Sequence, residues 1–222
     1  YRIDYDNGTF VQAIANQYGS AAGSRPLVTL FDELWAYSLA FGNRVLTSDL
    51  RWVPVETLQV GDTLVSFDEE RGEHAYRSFR KGTVTAVRHM NNPAVKVILA
   101  SGKEITATPP HKFLVRRKKD RNNVVWVEAC NLVPGDKLMK VVPVWDNDNN
   151  IDTKLLEKIN PEKMGRMTAY DWDEVVSIEG VPLAHIAAIT VDKQTYISEG
   201  YASHNTSERS RRMWAEMTPP PS

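Results

Sequence analysis

Trp52-Val-Pro-Val-Glu-Thr-Leu58-Gln-Val-Gly61-Asp62-Thr-Leu64 returns later in the chain as Trp126-Val-Glu-Ala-Cys-Asn-Leu132-Val-Pro-Gly135-Asp136-Lys-Leu138. The Trp, both Leu positions and the Gly-Asp pair keep their spacing, which is more than a shared hairpin signature supplies. Each Gly-Asp fits a tight turn in which Gly takes positive φ and Asp caps its own backbone. A Val/Ile-rich stretch ending near a His follows each copy, Val84 to His111 and Val175 to His204. Short Val/Ile/Thr runs broken by Gly-Asp, Asn-Asn and Ser-Gly turns make residues 38–205 strand-rich. Two similar β units in one chain predict an all-β body with pseudo-two-fold symmetry.

The regions around the duplication have different grammars. Residues 1–37 run through a helix-like stretch, Phe10 to Tyr18, and a loose Gly/Ser/Ala segment. They end in Leu27-Val-Thr-Leu-Phe31-Asp32-Glu33-Leu-Trp-Ala-Tyr37. Residues 206–222 read as a polar helix, Ser207 to Met217, stopped by Pro219-Pro220-Pro221. Trp145 to Ile159 is acidic and then briefly helical, which predicts a surface linker. Its Asp146, Asp148 and Asp152 lack the Gly and bidentate Glu spacing of a Ca²⁺ loop. Arg116-Arg117-Lys118-Lys119-Asp120-Arg121 reads as a solvated hairpin tip.

Composition narrows the function classes. A chain of 222 residues suffices for one packed domain with appendages. A net charge of -1 creates no field that would recruit nucleic acid or an anionic membrane. Cys130 is the only cysteine, which excludes an internal disulfide framework and a Cys-rich zinc site. The opening residues are polar and acidic, unlike a signal peptide. Asp32 and Glu33 interrupt the longest apolar stretch, Leu27 to Phe41, so it is not a membrane span. A soluble monomer in a reducing, cytoplasmic compartment is expected.

The chemistry concentrates at three places. His204-Asn205 is followed at once by Thr206. An Asn side-chain amide can attack its own peptide carbonyl, close a succinimide and cut the chain, while a neighbouring His passes the protons. Thr206 then offers a hydroxyl nucleophile. Far upstream, Ser38-Leu39-Ala40-Phe41-Gly42-Asn43-Arg44-Val45-Leu46 opens the β-rich region with a hydroxyl. Between them, Thr108-Pro-Pro-His111 presents a Thr and a His three apart beyond a turn. Singly, Ser38 could be a strand-opening Ser and His111 a core His. In this order on a duplicated scaffold the pieces reinforce one another. His185 reads as structural, and Cys130 as a packed or half-exposed thiol where the first copy has Glu56.

These segments resemble an intein, a self-excising protein-splicing domain. The opening segment is similar to that family's first motif, usually Cys/Ser-Leu-Ala-x-Gly-Thr-x-Val. Thr108 to His111 matches its Thr-x-x-His motif, and Thr195 to Asn205 resembles its closing motif. The resemblance covers residues 38–205 and implies the horseshoe-shaped, all-β Hint fold. No long insertion with an acidic endonuclease motif is present, so the chain resembles a mini-intein. The resemblance implies that Ser38 attacks the carbonyl of Tyr37, assisted by His111 and Thr108. Thr206 then takes over the acyl group, Asn205 cyclises with help from His204, and Tyr37 ends joined to Thr206. It implies no metal, nucleotide or organic cofactor, and no partner beyond the flanking exteins.

Departures from the family pattern matter chemically. Ser stands where Cys is commonest, and a serine hydroxyl offers essentially no anion at neutral pH. Ala188 stands where many relatives carry Asp or Cys, and Thr195 where His is common. The flanks are similar to a phage terminase large subunit, with Asp32 and Glu33 as a Walker B-like pair. The rival enzyme reading, a terminase ATPase fragment, rests on Asp32 and Glu33, yet the sequence contains no Gly-x-x-x-x-Gly-Lys-Ser/Thr phosphate loop. A trapped or cleavage-only Hint module is the other rival.

Overall fold

The computed structural model describes residues 2–4, 10–12, 38–72, 75–120, 123–145 and 153–205. Tyr37, Thr206, the pair Asp32 and Glu33, the Ser207–Met217 helix and the 146–152 acidic stretch lie outside them. The chain divides into two compact units, 1–31 and 32–222. In the first, strands β1 (Arg2–Asp4) and β2 (Phe10–Gln12) pair antiparallel, with Ile3 opposite Val11. The helix expected from Phe10 is therefore corrected over residues 10–12. The cross-strand backbone ladder overrides the local helical pattern there.

The second unit is built from short strands: β3 (Leu39–Ala40), β4 (Arg44–Leu46), β5 (Trp52–Pro54) and β6 (Thr63–Phe67). The long strand β7 (Arg77–Leu99) follows, then β8 (Glu104–Ala107), β9 (Lys112–Arg116), β10 (Val124–Glu128) and β11 (Lys137–Lys140). Helix α1 (Thr153–Ile159) precedes β12 (Arg166–Met167), the long β13 (Asp171–Val191), β14 (Thr195–Ser198) and β15 (Tyr201–His204). The all-β expectation holds. The two long strands pair with one another from Val84 opposite Val191 to Leu99 opposite Val175, with bulges along the way.

The sequence repeat is a structural repeat. Arg44, Val45 and Leu46 face Pro54, Val53 and Trp52, just as Lys112, Phe113 and Leu114 face Glu128, Val127 and Trp126. Each second strand runs into a 3-10 turn, Val55–Thr57 or Ala129–Asn131, closed by Leu58 N on Val55 O or Leu132 N on Ala129 O. The Gly-Asp turns are also alike. Gly61 and Gly135 sit at φ +100° and +94°, and the Asp62 and Asp136 carboxylates accept from Gln59 N and Val133 N. Gly61 N donates to Val84 O, and Gly135 N to Val175 O, both at 2.9 Å. Glycine is required there because the turn needs positive φ.

The core follows the same symmetry. Leu39 and Ala107, Val45 and Phe113, Leu58 and Leu132, Leu64 and Leu138, Val84 and Val175 all lie in one buried cluster. Leu39 and Ala107 are themselves partners between β3 and β8, so the pseudo-dyad passes near them. A second cluster lies off this axis, where Phe67, Phe79, Leu114 and Ile197 meet α1 through Ile159. Trp126 stacks on Phe67 there, with ring centroids 6.1 Å apart.

The basic run is more than a solvated tip. The Arg116 guanidinium lies over the Trp172 ring at 3.9 Å, and Arg117 bonds the buried Asp136 carboxylate at 2.7 Å. Long cationic side chains can cover apolar surface while keeping their charge satisfied. No helix among the described residues is long and apolar enough to cross a membrane.

Candidate active site

Ser38 is completely buried at the entry to β3. Thr108 holds it from both sides. Ser38 N donates to Thr108 Oγ1 at 2.9 Å, Thr108 N donates to Ser38 O at 2.9 Å, and Thr108 Oγ1 donates to Ser38 O at 3.3 Å. Ser38 N is the amide nitrogen of the Tyr37–Ser38 bond, so the Thr108 hydroxyl is bonded to the nitrogen side of that bond. Thr108 occupies this place because β3 and β8 pair through Leu39 and Ala107, which leaves Ser38 and Thr108 opposite each other at the strand ends.

Pro109 and Pro110 then turn the chain back, and His111 N donates to Thr108 O at 3.0 Å. His111 is buried. Its ring meets Phe113 edge-on at 4.7 Å and Tyr196 at 6.3 Å. Burial pushes the Tyr196 phenol well above its ordinary range, so it stays a neutral wall to this ring.

The next residue, Lys112, pairs with His204, and Phe113 pairs with Ser203. Thus the five residues from Thr108 to Lys112 touch Ser38 at one end and the His204-Asn205 strand at the other. Both His204 and Asn205 are buried. His204 Nε2 lies 2.8 Å from Glu69 Oε1, and the ring meets Trp126 edge-on at 5.0 Å. Asn205 sits over the Val191–Gln194 turn, and its backbone N donates to Gln194 O at 2.9 Å. Its side-chain amide fits the turn with Nδ2 donating to Gln194 O at 2.6 Å and Oδ1 accepting from Val191 N. That orientation gives both amide atoms complementary partners.

A hairpin carries Asn205 to this position. Glu199 and Gly200 form its tip at φ 49° and 91°, a two-residue turn that requires positive φ at both positions. A Cβ on Gly200 would stand 2.5 Å from Val142 O. The Glu199 carboxylate, 3% exposed, accepts from Arg44 N at 2.6 Å and pairs with Lys103 Nζ at 2.5 Å. A buried carboxylate this well satisfied ties the hairpin to β4.

Thr195 does not face the junction. Its hydroxyl accepts from Phe67 N at 3.0 Å and donates to Phe67 O at 2.5 Å; Ser66 Oγ donates to Thr195 O at 2.6 Å. This Thr fastens β14 to β6, and the residue whose backbone meets Asn205 is Gln194. Ala188 is buried on β13 opposite Arg88. His185, on the same long strand, is exposed, with its ring 5.8 Å from that of Phe41. Cys130 is exposed. Desolvation of its sulfur by neighbouring groups and the nearby Glu128 charge raise its thiol pKa, which lowers the thiolate fraction. Glu69 carries no sequence signal; it stands outside every motif. No group of three or more His, Cys, Asp or Glu that could hold a metal occurs among the described residues.

No protein-family model matches the chain. Among solved structures it is similar to a bacterial intein-like domain from Clostridium thermocellum, at TM-score 0.52 and 19% identity over 76% of this chain and 99% of that one. The DnaB intein from Synechocystis sp. PCC 6803 matches at TM-score 0.51 and 12% identity, over 77% of this chain and 99% of its own. A variant of the Ssp DnaB mini-intein matches at TM-score 0.53 and 15% identity, over 77% and 94%. These likenesses define the class of fold: the chain carries the all-β Hint architecture of intein domains. By sequence, the chain is 27% identical over 126 residues to the DNA-directed RNA polymerase subunit Rpo1C of Methanocaldococcus jannaschii. That match spans 49% of this chain and 14% of the polymerase subunit.

Proposed function

We propose that residues 38–205 are a self-splicing domain that excises itself and joins Tyr37 to Thr206. The observation that carries this reading is the two-sided hold of Thr108 on Ser38, in a segment whose far end pairs with His204. Ser38 Oγ attacks the Tyr37 carbonyl carbon, and the C–N bond breaks as an ester forms. The proton lost by the hydroxyl reaches the departing Ser38 nitrogen through His111. Amide resonance resists this step. A Thr108 oxygen bound to the nitrogen, and a Ser38 held at both peptide groups, support it by fixing the reacting geometry. Such intramolecular positioning is worth up to about 7–11 kcal/mol.

Thr206 Oγ then attacks the ester and frees the Ser38 hydroxyl. Asn205 Nδ2 attacks its own carbonyl carbon, and the bond to the Thr206 nitrogen breaks. A final O-to-N shift at Thr206 leaves an ordinary peptide. The flanks 1–37 and 206–222 are exteins in this reading, drawn from a phage terminase large subunit. Joining them brings Leu27 to Tyr37, with Asp32 and Glu33, directly onto Thr206. The domain acts on its own flanks as a monomer in the cytoplasm of a bacterial host.

The hold of the Val191–Gln194 turn on the Asn205 amide favours one second reading, a trapped or cleavage-only module. Intact-mass measurement of the full chain over time separates the two. Splicing yields the mass of 38–205 and that of the joined flanks. Separated flanks mean cleavage alone, and a chain that stays whole contradicts the proposal.

A further inference from the structure

Glu69 sits just beyond β6, on the loop that leads to β7, and its side chain is 38% exposed. It is 135 positions from His204 in sequence, yet its carboxylate oxygen lies 2.8 Å from the His204 Nε2. An ionised carboxylate only accepts hydrogen bonds, so the ring must be the donor at Nε2. A neutral imidazole that donates at Nε2 carries its lone pair at Nδ1. The Trp126 ring packs edge-on to the imidazole.

The segment presenting Glu69 is itself fixed. Arg77 Nε donates to Glu69 O at 3.0 Å. Asp68 N donates to Ser78 O, and Ser78 N donates to the Asp68 carboxylate, each at 3.0 Å. Arg80 Nε donates to Asp68 Oδ1 at 2.7 Å. A surface carboxylate on a free loop would spread over many rotamers. Here the backbone beneath it is bonded on both sides, and one carboxylate oxygen is engaged by the His204 ring. It borders an open cleft whose other walls include Arg71, Arg80, Asp192 and Lys193, next to the turn that holds Asn205.

We propose that Glu69 is a positioning residue for the C-terminal step: it locks His204 in the Nε2–H tautomer and fixes its ring for asparagine cyclisation. The proposal rests on the splicing reading above. In that step Asn205 Nδ2 bonds to the Asn205 carbonyl carbon, and the bond to the Thr206 nitrogen breaks. The His204 Nδ1 lone pair takes the proton that Nδ2 loses and passes it to the Thr206 nitrogen, which leaves as an amine. Without Glu69 the ring samples both tautomers, and only one fraction presents a lone pair on the required side.

The test uses the full chain and follows release of residues 206–222 by intact mass. Glu69→Ala slows release about 10–100-fold, the range found when the carboxylate that orients a metal-bound histidine is removed. Hydroxylamine cleavage at Ser38 in the same samples stays unchanged. The second readout is the ¹⁵N spectrum of His204, taken with Asn205→Ala to hold the chain intact. Its signature is Nε2–H with Glu69 present and a tautomer mixture in Glu69→Ala. An unchanged release rate overturns the proposal, and so does slow release with the Nε2–H signature retained. An Nδ1–H ring in the chain that keeps Glu69 overturns it without any Glu69 variant. A starting chain that neither yields to hydroxylamine at Ser38 nor releases 206–222 defeats the splicing reading and this role with it. A chain that does both, indifferent to Glu69, defeats this role alone.

Discussion

The two copies of the duplicated β unit share a backbone and differ in chemistry. Register makes Asn43 the counterpart of His111 and Ala40 the counterpart of Thr108, because Arg44 faces Pro54 as Lys112 faces Glu128. In the first copy, Asn43 Nδ2 donates to Ala40 O at 2.7 Å and Thr106 O at 3.1 Å. That side chain does what a buried amide does in any turn, satisfying carbonyls that would otherwise be orphaned. In the second copy the same corner carries a hydroxyl bound to the Ser38 peptide and a buried imidazole. In the splicing reading, one scaffold thus supplies rigidity twice and reactivity once. The conserved geometry of the turns explains why a symmetric core can hold an asymmetric site.

Substitutions at matched positions sharpen this contrast, and the largest effect belongs to the corner itself. His111→Ala is expected to slow ester formation at Ser38 by about 10²–10³, a loss comparable to removing one donor at a reacting oxyanion. Its counterpart, Asn43→Ala, should leave the rate per folded molecule unchanged and lower stability by about 1–3 kcal/mol, since two carbonyls lose their donor. Rates from intact mass and stabilities from urea unfolding check the pair. Equal rate losses would erase the distinction.

Next in size is the dyad. Leu39→Ala removes a fully buried side chain where the two copies meet and should cost about 2–5 kcal/mol. A cost below 1 kcal/mol would mean that the copies do not share a core. A third contrast lies between Gly82 and Asp173, which face Leu64 and Leu138 respectively. A Cβ at Gly82 would stand 2.6 Å from Val191 Cγ1 and 2.9 Å from Ser66 Cβ. Asp173 instead accepts from the Tyr201 hydroxyl at 2.6 Å and from Ser101 N at 3.1 Å. Gly82→Ala should therefore cost about 1–3 kcal/mol through overpacking, read by the same unfolding measurement.

The smallest effects separate the two Gly-Asp turns. The Asp136 carboxylate is buried and accepts from Arg117, Lys118 N and Val133 N, whereas exposed Asp62 accepts from Gln59 N. Asp136→Ala is expected to lose about 2 kcal/mol and Asp62→Ala about 1 kcal/mol or less. Equal losses would show that the Arg117 contact contributes nothing.

Much of this was legible in the chain. The repeat around Trp52 and Trp126 announced the dyad because the Leu spacing and Gly-Asp turns are local devices with fixed geometry. Thr108 and His111 were visible as a pair because three-residue spacing across a turn survives folding. Glu69 was not, since its contact with His204 joins residues far apart in sequence and depends on how β6 seats against the β14–β15 hairpin through Thr195. The role of Thr195 was not legible for a related reason. Strand alternation turns its hydroxyl toward β6, and the neighbouring Gln194, at φ 63°, presents its carbonyl to Asn205. Arg116 and Arg117 read as solvent-facing by charge alone, although Trp172 and Asp136 give them partners from distant strands.

The claim on which the rest depends is that the Tyr37–Ser38 peptide becomes an ester inside this fold. Hydroxylamine added to the full chain carrying Asn205→Ala tests it most directly, because that change blocks cyclisation and leaves the Tyr37 acyl group held as an ester. The account predicts cleavage between Tyr37 and Ser38, abolished by Ser38→Ala and strongly suppressed by His111→Ala. A chain that hydroxylamine leaves whole, or cuts equally well without His111, would contradict it.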